Sequence, residues 1–170
     1  AQYNLGRVLY HGLLGQKQKP LKALKLWERA AHSKYPAALS AIGYCHANGE
    51  CELKVNQMAA KRFYSAAGHL GDARAAFNLG LLYEKGELFC EGGDDERFEQ
   101  ACLWFERAEA LDHVRASDRL VMLKAGRSKM IPQMMKIHAD VYESNNATHD
   151  ATPDDPTLAF GQISGNEGDN

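Results

Sequence analysis

Apolar residues four apart mark one face of a helix three times over: Leu5 and Leu9, Ile42 and His46, Leu79 and Tyr83. The spacing predicts a first helix over 1–11, 38–47 and 75–85. Each is followed by a second, over 20–33, 56–69 and 95–111. Small residues recur in the same register. Ala1, Ala38, Ala75 and Ala116 open similar segments, and alanine ladders follow at Ala23, Ala60 and Ala101 and at Ala30, Ala67 and Ala108. The opening alanines are spaced by 37, 37 and 41 residues, the last where the third unit carries an insertion. Self-similarity at this period signals stacked solenoid units, in which binding surfaces are the usual product.

Glycine sits inside each first helix at Gly6, Gly43 and Gly80. A helical glycine costs about 1 kcal/mol relative to alanine, so close approach of a partner helix is expected there, through Ala60- or Ala67-type positions. Gly12, Gly49 and Gly86 are expected to end the helices in the left-handed conformation. Pro20 suits a first helical turn and Asn56 a cap. Bulky pairs at Leu26 and Trp27, Phe63 and Tyr64, and Trp104 and Phe105 read as core that interdigitates with the small residues. The third unit is expected to have a longer inter-helix loop, from Glu87 to Glu96. Its acids read as helix caps rather than a cation site, with Asp94 or Asp95 in that role.

After Ala116 the pattern degrades. Residues 112–144 read as a terminal cap, with a last helix over 132–144. Met122, Met130, Met134 and Met135 belong to that cap or, alternatively, form a soft groove for a partner helix. From Asn145 onward the composition is polar, with five acids and no Lys or Arg, and is expected to stay disordered. The body is then net positive, although the whole chain carries only −2.

That small net charge gives no global argument for nucleic acid, and no basic stripe is interleaved with stacking aromatics. No run of about 18 apolar residues is present, so no direct membrane insertion is expected. The chain opens inside a repeat unit, which suggests a piece of something longer. An open repeat end would then favour self-association. The four cysteines, Cys45, Cys51, Cys90 and Cys102, lack zinc-type spacing. They read as free thiols, which favours a cytoplasmic over a secreted setting; a Cys51–Cys90 disulfide between corresponding loops is the alternative. No metal or cofactor is implied, and no catalytic motif of the triad, zinc-helix or phosphate-loop kind appears.

The run Ala75-Ala76-Phe77-Asn78-Leu79-Gly80-Leu81-Leu82-Tyr83-Glu84-Lys85-Gly86, followed by Gln100-Ala101-Cys102-Leu103-Trp104-Phe105, resembles the Sel-one-like repeat. Ala1 to Gly6 and Ala60 to Ala67 are similar to the same pattern. The resemblance implies an all-α, right-handed α/α superhelical solenoid related to tetratricopeptide repeats. It would comprise three helix-pair repeats over 1–119 (about 1–37, 38–74 and 75–115), a degenerate capping repeat over 116–144, and the acidic tail over 145–170. It further implies a non-catalytic adaptor or scaffold. A cysteine-rich branch described as β-lactamase-like pairs its cysteines once per repeat. The four cysteines here occupy non-equivalent positions.

In such a superhelix the first helices line the concave face. Their outward positions are Asn4, Arg7 and His11, then Tyr44 and Asn48, then Asn78, Leu81 and Lys85. Singly these are ordinary solvated helix residues; as a stripe they suit an extended protein or peptide partner. Two other readings compete: part of a larger enzyme or a hydrolase of the cysteine-rich type, and an adaptor autoinhibited by its acidic tail.

Overall fold

The computed structural model describes residues 1–128 and Lys136, and its helices come in pairs. α1 (Gln2–His11) is followed by α2 (Pro20–His32), α3 (Pro36–Asn48) by α4 (Gln57–His69), and α5 (Ala73–Glu84) by α6 (Gly93–Ala110). A further helical segment, α7, covers 116–128. No strand occurs among the described residues. The compact unit considered below runs from Ala1 to Ala125; Gly126–Asn170 is assigned to a second unit. The readings placed on residues 132–144 and 145–170, with Met130, Met134 and Met135, lie outside the described residues.

Each helix pair is closed by the same backbone bonds. Leu13, Glu50 and Glu87 donate to the carbonyls of Val8, Cys45 and Leu82 as the first helix ends, at 2.9–3.1 Å. Tyr35, Asp72 and His113 donate to Ala30, Ala67 and Ala108 as the second ends. Pro20 and Pro36 occupy the first turns of α2 and α3. The Asn56 side chain accepts from the Ala59 amide at 2.9 Å, as a cap should. Asp72 does the same for Ala75 at 2.8 Å, so α5 starts two residues before the expected boundary.

The third repeat departs from expectation in a second way. Its insertion lengthens the helix rather than the loop: α6 has 18 residues where α2 and α4 each have 13. Neither Asp94 nor Asp95 caps it. Glu96 reaches back to accept from the Gly92 amide at 2.8 Å, and Asp94 pairs with Arg97. Three acids in its first turn complement the positive helix end, which favours winding these residues into α6.

The helical glycines meet aromatic rings, not the alanine ladder. A Cβ at Gly6 would lie 2.4 Å from the Trp27 indole, at Gly43 2.8 Å from the Tyr64 ring, and at Gly80 2.7 Å from the Phe105 ring. A ring laid flat on the backbone needs the missing Cβ. Ala60, Ala67, Ala101 and Ala108 are fully buried around these contacts. The buried residues form two clusters. One gathers Trp27, Ile42, Cys45 and Cys51, and the other Tyr64, Leu79, Cys90 and Phe105. Cys51 and Cys90 are therefore in different clusters. Cys51 instead lies with its Sγ 3.2 Å from that of Cys45. Ala116 and Leu120 of α7 close the second cluster.

Leu5 is the exception to the apolar ladder. It is 51% exposed, whereas its counterparts Ile42 and Leu79 are 2% and 0% exposed. Among the described residues, no second helix lies against the outer side of α1 as α2 lies against α3 and α4 against α5.

Candidate functional site

Three first helices converge on one pocket of about 280 Å³. α1 supplies Tyr3, Arg7, Tyr10 and His11; α3 supplies Ala37, Ser40, Ala41 and Tyr44; α5 supplies Arg74 and Asn78; Trp27 of α2 completes it. Helical spacing explains the convergence. Tyr3 and Arg7, Ala37 and Ala41, Ser40 and Tyr44, and Arg74 and Asn78 are each four apart, on one face. The opening itself comes from α3. There Ala37, Ser40 and Ala41 are small, between the larger Tyr3 and Arg7 on one side and Arg74 on the other.

The walls are aromatic and mutually braced. Tyr10 packs on Trp27 at 5.3 Å and on His11 at 4.9 Å, and Tyr3 on Tyr35 at 5.3 Å between ring centres. The Trp27 indole N–H donates to the Tyr3 carbonyl at 3.3 Å, which fixes α1 on α2. Burial pushes the Tyr10 phenol above its usual range, and the charge of Glu50 adds to the rise. Arg74 Nη2 donates to the Tyr3 hydroxyl at 3.4 Å, and this contact leads the upward shift of the guanidinium.

Of the eight residues expected on this face, Arg7, His11, Tyr44 and Asn78 line the pocket. Asn78 is also turned to the buried Tyr64 hydroxyl, where it partly offsets the rise that burial imposes. Asn4, Asn48, Leu81 and Lys85 do not line it. Asn4 is exposed. The Asn48 amide donates to the carbonyl of Tyr44 in its own helix at 3.0 Å. Leu81 packs against the second core cluster, and Lys85 faces Glu87 at 3.9 Å.

Tyr3, Tyr10, Ser40 and Arg74 were not among the expected residues. Tyr3 and Tyr10 flank the phase set by Leu5 and Leu9, and Leu5 proves a poor guide because it is exposed. Arg74 was missed because α5 was expected to begin at Ala75. Asp72 as a capping residue three positions before Ala75 is the signal that would have found it. Among the described residues no group of three or more His, Cys, Asp or Glu is placed to hold a metal ion. No described helix is long and apolar enough to cross a membrane.

Known structures share the helix-pair fold. A protective antigen present in uropathogenic Escherichia coli strains, displaying an SLR fold, matches with a TM-score of 0.61 and 28% identity over 70% of this chain. A Sel1 repeat protein from Oxalobacter formigenes matches with a TM-score of 0.60 and 22% identity, also over 70%. The chain spans 24% and 46% of the lengths of these two proteins. The Sel1 repeat profile matches three consecutive stretches, 1–35, 36–72 and 73–113, each holding one of the helix pairs described above. The chain belongs to the Sel1 repeat family.

Proposed function

We propose that this protein is a non-catalytic scaffold that holds an extended segment of a protein partner along the face formed by α1, α3 and α5, the concave face of the repeat stack. Sel1 repeats generally mediate protein interactions, and their proteins are typically non-catalytic scaffolds. The observation that carries the finer reading is the shared pocket. Side chains from all three repeats meet there, so one ligand can bridge them. Tyr and Arg, which dominate interface hot spots, supply five of its lining residues.

The test is affinity capture from a lysate of the source cells, read by mass spectrometry, with the chain against an Arg7→Ala/Tyr44→Ala variant. Both residues are exposed, so helicity should be unchanged by circular dichroism. Proteins kept by the parent and lost by the variant are the expected result. Equal capture by both would remove this face as the binding site.

A further inference from the structure

The charge of the pocket is one-sided. Arg7 and Arg74 line it, with His11, and no Asp or Glu does. Three guanidinium groups elsewhere are answered. Arg97 pairs with Asp94, Arg119 Nε donates to Glu84 at 2.8 Å, and Arg107 donates to the Gly68 carbonyl at 3.0 Å. Arg74 donates to the neutral hydroxyl of Tyr3 and makes no ion pair among the described residues. The Asp72 carboxylate accepts from the Ala75 amide at 2.8 Å through one oxygen, and its charge still acts on Arg74 without lining the pocket. Arg7 makes no ion pair among the described residues.

Tyrosine walls lower the local dielectric, so an incoming anion feels these cations more strongly than it would in open water. A guanidinium offers a planar fork that matches a carboxylate in two parallel hydrogen bonds. Neutral hydrogen-bonding groups complete the set. Ser40, the buried polar residue of the core, borders the pocket, as does the hydroxyl-bearing Tyr44.

We propose that this pocket seats the carboxylate of an Asp or Glu side chain carried by an extended partner segment. This deepens, and rests on, the scaffold reading above.

The experiment pans the full chain and an Arg7→Gln/Arg74→Gln variant against a randomised dodecapeptide phage library. The parent should enrich Asp or Glu at one fixed position, and the variant should return peptides without that enrichment. In a winning peptide made synthetically, changing the acid to its amide should weaken binding about tenfold at low salt, and less at high salt. An Arg74→Lys variant should recover part of the loss. Four results would overturn the proposal. Winners with no acidic position that still lose binding to a Tyr44→Ala variant would leave the scaffold reading standing without the carboxylate seat. Tighter binding of a phosphoserine replacement would reassign the pocket to phosphate. Loss of binding on C-terminal amidation alone would reassign it to a chain terminus. No selected peptide at all, or winners indifferent to Tyr44→Ala, would remove both readings.

Discussion

Helices α1 and α5 hold equivalent places in their repeats but lead different lives. α1 buries only Gly6, whereas α5 buries seven residues, from Ala75 to Tyr83. Leu5 is half exposed and its counterpart Leu79 is fully buried; Tyr3 borders the pocket and its counterpart Phe77 is core. The cause is position in the stack. α5 packs between α4 and α6, while α1 packs on α2. A repeat of this kind takes its core from its neighbours, so the same sequence pattern buries seven residues in α5 and one in α1. The pocket draws four of its residues from α1. Core burial and pocket lining are thus divided between the equivalent residues Phe77 and Tyr3.

The largest expected effect tests that division directly. Phe105 is fully buried and lies on Gly80. Phe105→Ala should cost about 3–5 kcal/mol, as removal of a buried phenyl ring does. Leu5→Ala, at the equivalent of the most buried ladder, should cost no more than about 0.5 kcal/mol. Urea unfolding of the two variants beside the parent measures both. Comparable losses would mean that α1 is buried in solution and that the contrast between the helices is wrong.

The sequence made the helices legible because their signals are local. Apolar residues four apart, proline in a first turn and glycine past a last turn act within one helix, and they place most ends within two residues. What escaped depends on contacts between helices or on unmarked turns. The glycine gap reads from the sequence as a seat for the alanine ladder, but the aromatic ladder in the same helices fills it. Lys34 and Asp112 hold the left-handed turns after α2 and α6, where the counterpart after α4 is Gly71. Without glycine those two turns carry no composition signal. At the pocket, helix phase found Arg7, His11, Tyr44 and Asn78, and the misplaced start of α5 hid Arg74.

A smaller effect sharpens the comparison, because alanine at Gly80 and at Gly6 meets a ring at similar range, 2.7 and 2.4 Å. Alanine in place of glycine gains up to about 1 kcal/mol of helix propensity, and overpacking costs about 1–3 kcal/mol. Which term wins depends on whether the helix can retreat. α5 is held on both sides, so Gly80→Ala should lose about 1–2 kcal/mol. α1 can shift outward from Trp27, so Gly6→Ala should come out near zero despite the closer contact. Thermal unfolding of both variants reads the difference. A larger loss at Gly6 would show α1 fixed as firmly as α5.

A pH effect separates the two core clusters. Cys45 and Cys51 lie together in the first cluster, and burial pushes both thiols above their usual value of about 9. A raised pKa means that the folded chain keeps its protons longer than the unfolded one. The stabilisation is therefore fully present below about pH 9 and is lost as pH rises beyond it, by at most about 1.4 kcal/mol per pH unit for each thiol. Between pH 8 and 10 the parent's urea midpoint should fall. In a Cys45→Ala/Cys51→Ala variant the midpoint should start lower, because two side chains leave the core, but decline less over the same range. Parallel decline in the two proteins would place the alkaline loss elsewhere. A shallower decline would instead tie it to the first cluster, whose thiols also act on Tyr10 at the pocket wall.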